Sequence, residues 1–163
     1  MSTAVLSIGS NLGDRLAAVQ GAVDAFRPWL LAVSPVYETA PWGPVPQADF
    51  LNAVVVAADA QAAAADWLAR AQAAERAGGR TREVRWGPRT LDVDVIAVDD
   101  VVSDDATLTL PHPRAAERAF VLVPWLAVQP DAQLSGQPIR NLLATLPPDS
   151  VAGVRARPEL VVA

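Results

Sequence analysis

Two aspartates, Asp92 and Asp94, carry the clearest chemical signal in the sequence because they interrupt an otherwise apolar segment. Residues 91–98 read Leu-Asp-Val-Asp-Val-Ile-Ala-Val, a pattern typical of a β-strand. Side chains two residues apart on a strand point to the same face. The pattern therefore predicts two carboxylates on one face, where adjacent anions are stable only if cations lie close by.

Cationic side chains come directly before this strand, in a segment that contains Arg80, Arg82, Arg85 and Arg89. Carboxylates hold hard metal ions and guanidinium groups bind phosphate oxygens, so the combination is typical of phosphoryl transfer. The alternative is a solvated strand end whose carboxylates pair with these arginines. The apolar strand, and the turn with glycine and proline that leads into it, favour the functional interpretation.

The composition limits the other classes of site. A length of 163 residues with 52% apolar content predicts one folded domain, residues 1–163. The absence of cysteine and the single histidine, His112, exclude disulfides, thiolate metal sites and multi-histidine zinc sites. The net charge of −5 argues against broad nucleic-acid binding. Residues 70–89, however, hold six arginines against two glutamates, and this local surplus suits a compact polyanion.

Neither a membrane span nor a leader is predicted. No apolar run approaches the length that crosses a bilayer, and the first residues lack the basic start and cleavage site of a signal peptide. We therefore expect a cytoplasmic monomer that acts on small molecules and binds neither membranes nor nucleic acid.

The order of the elements predicts the fold class. Alternation and helical spacing place strands at residues 4–8, 31–39, 50–58 and 91–98, and helices at residues 16–26 and 61–77. Asp59 is the expected cap of the second helix, and residues 40–49 form a loop rich in proline. The order predicts an α+β, ferredoxin-like βαββαβ antiparallel sheet with helices on one face. From residue 99 onward we expect an extension of short strands and helices, with helices at residues 119–128 and 139–146.

Several motifs follow one another in a characteristic order. They are Ile-Gly-Ser-Asn-Leu-Gly at residues 8–13, Tyr-Glu-Thr-Ala-Pro and Phe-Leu-Asn within residues 34–52, Arg-Trp-Gly-Pro-Arg-Thr-Leu-Asp-Val-Asp at residues 85–94, and Leu-Pro-His-Pro with Arg-Ala-Phe within residues 110–120. Together they resemble the 6-hydroxymethyl-7,8-dihydropterin pyrophosphokinase family. The resemblance implies the fold predicted above. It also implies transfer of the β,γ-pyrophosphoryl group of ATP to the hydroxymethyl group of the pterin, with release of AMP.

The resemblance assigns the catalytic and nucleotide-binding residues by position. It implies that Asp92 and Asp94 are ligands of two Mg²⁺ ions, that Arg80 and Arg82 close over ATP, and that Arg89 is a second phosphate clamp. The implied ATP contacts are Gln72, Glu75, Arg82, Trp86, Arg89, Val95, Thr109, His112 and Arg118. Spacing alone favours a different interpretation, in which Gln72 and Glu75 lie on the solvated surface of a helix and His112 is a turn residue between two prolines.

The same resemblance assigns the pterin site. Phe50 and Phe120 match a stacking pair, which suits a flat heteroaromatic ring, and Asn52 offers a donor and an acceptor to the ring edge. The other implied pterin contacts are Thr39, Ala40, Trp42 and Trp86. The alternative places both phenylalanines in the core and Asn52 in a turn. One departure from the family is Thr107, which stands where some members have an arginine.

Two other functions remain open from the sequence. The predicted fold also serves RNA recognition, which would need exposed aromatic side chains on the middle strands and a basic sheet face. A different Mg²⁺-dependent nucleotidyl transferase or nuclease would use the same pair of carboxylates.

Overall fold

The structure, a computed structural model, describes residues 2–41, 44–78 and 91–162. The predicted βαββαβ order is confirmed, with the second strand in two pieces. The strands of this unit are β1 (Ser2–Ser10), β2 (Leu30–Val33), β3 (Tyr37–Thr39), β4 (Phe50–Asp59) and β5 (Asp92–Val98), and its helices are α1 (Arg15–Ala25) and α2 (Ala64–Ala77).

One antiparallel sheet organises these strands. Strand β1 lies at its centre and pairs with β4 on one side and β5 on the other, while β2 and β3 both pair with the far side of β4. The first and third strands of the βαββαβ unit are thus central, as in a ferredoxin-like fold, which confirms the predicted fold class. The β1–β4 register runs without a break from Ser2 opposite Asp59 to Ser10 opposite Leu51.

One face of the sheet packs against α1 and α2. Leu6 and Ile8 of β1 and Val55 of β4 lie there in one buried cluster with side chains of both helices, including Val23 and Trp67. Complete burial of each such aliphatic side chain stabilises the fold by roughly 1.5–3 kcal/mol. The indole Nε1 of Trp67 also donates a hydrogen bond of 2.8 Å to Ser2 Oγ, which fixes α2 to the start of β1.

The other face packs against the C-terminal part of the chain. Helices α3 (Ala119–Val128) and α4 (Ile139–Thr145) confirm the two helices predicted there. Val54 of β4 and Ile96 of β5 lie in a second cluster with Leu122, Trp125 and Ile139. The remaining elements are the hairpin of β6 (Ser103–Asp105) and β7 (Leu108–Leu110), the hairpin of β8 (Gln133–Leu134) and β9 (Gln137–Pro138), helix α5 (Pro148–Ala152), and strand β10 (Arg155–Ala156), which pairs with β3.

The strand predicted at residues 31–39 is interrupted at Pro35. Proline has no N–H to give to a sheet, and it ends regular pairing. Ser34 makes the transition: its backbone N–H donates to Val54 O at 2.9 Å, and its Oγ accepts the N–H of Val54 at 2.9 Å. The chain therefore pairs with β4 twice, first as β2 and then as β3.

The start of the second helix also differs from the prediction. Helix α2 begins at Ala64, and Asp66 rather than Asp59 closes its first turn by accepting the N–H of Ala63 at 2.7 Å. Asp59 instead accepts the N–H of Gln61 and pairs with Arg70 at 2.7 Å. Its carboxylate therefore belongs to the turn before the helix.

The described helices include no candidate membrane span. Within residues 2–41, 44–78 and 91–162, none of them combines the length and the apolar character that a membrane span requires.

Candidate active site

A single row of residues crosses the sheet and defines the candidate site. Gly9 on β1 lies opposite Asp92 on β5 and opposite Asn52 on β4, and Asn52 in turn lies opposite Tyr37 on β3. Opposed residues on neighbouring strands project to the same face. Because strands are about 4.8 Å apart, Asp92 and Asn52 are separated by roughly 10 Å across the row.

The row lies on the sheet face that also carries α3. Asp92 and Asp94 alternate with Val93 and Val95, which are buried in the cluster beneath α1 and α2. Ile96, two residues after Asp94 and therefore on the same face, is buried in the cluster beneath α3. This arrangement confirms the prediction that the two aspartates share a face.

Gly9 lies between Asp92 and Asn52 in the row. A Cβ atom at this position would lie 3.2 Å from Asn52 Oδ1 and 3.5 Å from Phe50 Cδ1. The glycine therefore lets the side chains of Asn52 and Phe50 lie close against the backbone of β1. Its role was not predicted from the sequence, where Gly9 was noted only as part of the motif at residues 8–13.

The aspartates remain accessible to a ligand and have a cation near them. The side chain of Asp94 is 39% exposed, and its Oδ2 lies 4.0 Å from Arg118 Nη1. Within the ranges that the structure describes, acidic and histidine side chains do not gather in groups of three or more that could hold a metal ion. Two carboxylates fit Mg²⁺ nonetheless, because this ion is commonly held by one or two carboxylates together with waters and substrate phosphates.

Arg118 immediately precedes α3 and directs its guanidinium group toward the aspartates. Its side chain is only 13% exposed, and burial lowers its pKa, whereas the charge of Asp94 favours the cation. Within the described ranges its buried Nε has no hydrogen-bond partner. The guanidinium carbon lies 5.5 Å from the ring centre of Phe120, a cation–π distance. Arg118 thus presents a positive charge beside the carboxylates.

His112 is held against the edge of β5 by its backbone, whose N–H donates to Ile96 O at 2.8 Å. Burial, followed by the charges of Arg118 and Arg114, lowers the pKa of His112 to about 4. The ring is therefore neutral at pH 7. Its Nδ1 accepts the N–H of Arg114 at 3.2 Å, so the ring proton lies on Nε2, where it can be donated to a ligand.

The polar part of the predicted pterin site is assembled on β3 and β4. Asn52 Nδ2 donates to Thr39 Oγ1 at 2.7 Å, and both side chains are buried. Phe50 lies opposite Thr39 and is partly exposed, while Ala40 is exposed beyond the end of β3. Asn52 is the third residue of a strand and not a turn residue, and neither Phe50 nor Phe120 is fully buried in the core.

Four other residues predicted to contact the nucleotide lie around β5 and the hairpin that follows it. Glu75 reaches from α2 to accept the backbone N–H of Val93 at 3.1 Å, whereas Gln72 is exposed on α2. The side chain of Val95 is buried on the opposite face from the aspartates. Thr109 Oγ1 donates to Asp105 O at 3.0 Å.

Thr107, which stands where some family members have an arginine, lies in the turn between β6 and β7. Its hydroxyl and its backbone N–H both bind the carboxylate of Asp105. Five other predicted site residues, namely Trp42, Arg80, Arg82, Trp86 and Arg89, lie outside the described residues.

Known proteins share this fold. Wild-type HPPK-DHPS of Plasmodium falciparum, solved with pteroate, matches with a TM-score of 0.67 at 12% identity. The match covers 88% of this chain and 44% of that chain, so this chain spans less than half the length of that protein.

Sequence relatives are much more similar. The protein of Mycobacterium leprae named 2-amino-4-hydroxy-6-hydroxymethyldihydropteridine pyrophosphokinase is 52% identical over 95% of this chain and 88% of its own length. The protein of the same name from Mycobacterium tuberculosis is 49% identical over 95% and 89% of the two chains. That of Methylorubrum extorquens is 42% identical over 94% and 99%.

The model of the 7,8-dihydro-6-hydroxymethylpterin-pyrophosphokinase family matches residues 5–130, a span that contains the row of Asp92, Gly9 and Asn52. Since most of the chain falls within this match, the chain belongs to the 7,8-dihydro-6-hydroxymethylpterin-pyrophosphokinase family, whose members are enzymes of the diphosphokinase class.

Proposed function

We propose that this protein transfers the β,γ-pyrophosphoryl group of ATP to 6-hydroxymethyl-7,8-dihydropterin in a Mg²⁺-dependent step of folate biosynthesis that releases AMP. The single observation that carries the proposal is the row across the sheet. It places a pair of carboxylates and an amide with aromatic neighbours on one face, about 10 Å apart across two strand spacings. This spacing suits one substrate that is anchored by its phosphates and another that is anchored by a flat ring.

The phosphate end of the site is formed by Asp92, Asp94 and Arg118. When bound, two Mg²⁺ ions would supply positive charge that neutralises the phosphate oxygens as the transfer proceeds. The two aspartates would hold these ions, and Arg118 Nη1, 4.0 Å from Asp94 Oδ2, reaches the same space. Its guanidinium group can donate to a phosphate oxygen through Nη1. We assign Arg80, Arg82 and Arg89 to the same phosphates from the family motif.

The nucleoside end lies along the outer edge of β5. Glu75 binds the N–H of Val93, the N–H of His112 binds Ile96 O, and the backbone of Val95 lies between these two points. The neutral ring of His112 donates through Nε2 without adding a charge. Gln72, Thr109 and Trp86 complete the proposed nucleotide contacts.

The pterin end lies beside Phe50 and Asn52, whose side chains lie close against the backbone of Gly9. Phe50 and Phe120 supply aromatic faces for stacking, and the buried Asn52 fixes the ring edge through its amide. Thr39 orients that amide by accepting its N–H. We assign Ala40, Trp42 and Trp86 to the same substrate from the family resemblance.

The chemistry follows from this placement. The hydroxymethyl oxygen attacks the β-phosphorus in line with the bond to the bridging oxygen of the α-phosphate, which breaks to release AMP. Such transfers depend mainly on positioning and charge neutralisation. The rigid sheet supplies the positioning because the side chains of both ends project from neighbouring strands.

An RNA-binding role is less compatible with the structure. RNA-binding sheets of this fold class leave a broad face open for stacked bases. Here α3 and α4 cover Val54 and Ile96 on the face that carries the site. A small-molecule site at one end of the sheet fits the uncovered part better.

The metal-binding role of the aspartates is tested by Asp94→Ala. We expect Mg²⁺-dependent AMP release to fall by at least 100–1,000-fold, a loss of several kcal/mol typical of electrostatic catalytic groups. The matched control is Asp131→Ala, which removes an exposed carboxylate from a turn and should leave turnover unchanged. Near-native turnover of Asp94→Ala at saturating Mg²⁺ would show that the metal site lies elsewhere.

The pterin pocket is tested by Asn52→Asp, which changes little volume and can still accept a hydrogen bond from Thr39. Because the substitution replaces an amide donor by an acceptor, pterin affinity should fall by about 10–100-fold, equivalent to roughly 1–3 kcal/mol for one mismatched buried pair. ATP affinity should stay close to that of the wild type. Calorimetric titration measures both, with the exposed Asn141→Asp as control. Unchanged pterin binding would remove Asn52 from the site.

The protonation state of His112 can be measured directly because it is the chain's only histidine. In the untagged, folded protein, NMR should show its ring neutral down to about pH 5, since its pKa is lowered from 6.5 to about 4. Folding favours the neutral ring, so the stability that it contributes is present above pH 6.5 and is lost as the pH falls toward 4. The urea-unfolded chain is the internal control, with an expected midpoint near 6.5. A midpoint near 6.5 in the folded protein would contradict the burial described here.

A further inference from the structure

A second charge cluster lies at the opposite edge of the sheet from Asp92. At its centre is Glu38 of β3, whose side chain is only 13% exposed. Arg15 Nη1 binds its Oε2 at 2.7 Å, Arg157 Nη1 binds its Oε1 at 2.7 Å, and Arg155 Nη2 lies 3.7 Å from the same Oε1. A hydrogen bond from Arg15, followed by one from Arg157, lowers the pKa of Glu38 against the effect of burial. The carboxylate is therefore ionised and held from three directions.

Two of the same arginines also hold Asp49. Arg155 Nη2 binds Asp49 Oδ2 at 2.8 Å, and Arg15 Nη1 binds the backbone oxygen of Asp49 at 2.9 Å. Glu38 is the second residue before the loop of residues 40–49, and Asp49 is its last residue. The arginine clamp, as we name Arg15, Arg155 and Arg157, thus ties the two ends of this loop together.

The clamp lies directly behind the pterin pocket. Glu38 pairs with Leu51, which is buried beneath α1 and α2, so the carboxylate projects from the helical face. The flanking pair of Thr39 opposite Phe50 projects from the other face, beside Asn52. Each residue of the clamped pair is thus the direct chain neighbour of a residue assigned to the pterin. A change in the distance between Glu38 and Asp49 would move Thr39 relative to Phe50.

Two arms of the clamp come from the end of the chain. Arg155 begins β10, which pairs with β3, and the backbone N–H of Arg157 donates to Val36 O at 2.9 Å. Both residues lie beyond residues 5–130, the span that matches the family model. The C-terminal strand therefore reaches the back of the pocket from a part of the chain outside that match.

We propose that the arginine clamp is a positioning device for the pterin pocket, so that the C-terminal strand β10 contributes to substrate binding without touching the substrate. The proposal rests on the proposed function, because it takes Thr39, Phe50 and Asn52 as the pterin site. The clamp fixes the distance between the two ends of the loop of residues 40–49. It thereby fixes the angle at which Phe50 meets the pterin ring and the direction in which Thr39 holds the amide of Asn52. The clamp lies at the edge of the sheet formed by β3 and β10, and β5, which carries the proposed nucleotide end, is the strand at the opposite edge.

The test is the double variant Arg155→Ala/Arg157→Ala. Well below its unfolding temperature, we expect KM and Kd for the pterin to rise about tenfold, while the Kd for Mg²⁺-ATP stays within twofold of the wild type. If the clamp only stabilised the fold, the double variant would unfold at a lower temperature, but its affinities for the pterin and for Mg²⁺-ATP would not change by different factors. The double variant Arg155→Lys/Arg157→Lys keeps both charges and should recover most of the pterin affinity. Arg27→Ala removes an arginine that is paired with Asp24 at the far end of α1, and serves as control.

Glu38→Gln examines the same contacts from the acceptor side if the double variant folds poorly. It keeps the side-chain volume and weakens all three contacts at once, so a several-fold rise in pterin Kd is expected. Wild-type pterin affinity in a folded clamp variant, or equal losses for pterin and ATP, would overturn the clamp proposal. Failure of the proposed function gives a different result, because the wild-type chain itself would then show no pterin-dependent release of AMP.

Discussion

The antiparallel register of β1 with its two neighbours is the constraint on which the site depends. It aligns Asp92, Gly9 and Asn52 in one row, and a shift of one residue would turn the aspartates into the core beneath α1 and α2. The buried side chains of β1 resist such a shift because Leu6 and Ile8 would have to exchange faces with Ser7 and Gly9. Hydrophobic alternation on one face therefore fixes the position of charged groups on the other.

The site also depends on how much of the sheet face that packs against α3 and α4 is covered by these helices. Helices α3 and α4 bury Val5, Val54 and Ile96 there, whereas Phe50, Asp92 and Asp94 at the end of the sheet are partly exposed. The start of α3 faces this uncovered end and brings Arg118 and Phe120 to it. A single helix start thus carries one residue that we propose for the phosphates and one that we propose for the ring, and core packing along the rest of α3 holds them in place.

Much of this arrangement could be predicted from the sequence because it depends on local periodicity. The shared face of Asp92 and Asp94 follows from strand alternation, and the βαββαβ order follows from the spacing of apolar residues. The break at Pro35 was missed, although proline's lack of an N–H signals it. Helix α3 is apolar on most sides, which does not indicate the face of the sheet it covers.

Other features could not be predicted, because they depend on contacts between distant parts of the chain. Glu38, Asp49 and Arg157 are separated by loops and elements whose packing no sequence spacing encodes. The role of Gly9 emerges only when Asn52 and Phe50 are placed beside it. The low pKa of His112 likewise depends first on burial, which follows from the packing of its turn against β5, where its N–H binds Ile96 O.

In the reaction that we propose, one face of the sheet brings ATP and a hydroxymethyl pterin together for pyrophosphoryl transfer. It is best tested by the release of AMP by the untagged wild-type chain with Mg²⁺ and ATP, with and without 6-hydroxymethyl-7,8-dihydropterin. We expect one AMP and one pterin diphosphate for each ATP consumed, and no AMP when either the pterin or Mg²⁺ is left out. Release of AMP at the same rate without the pterin, or of ADP in place of AMP, would contradict it.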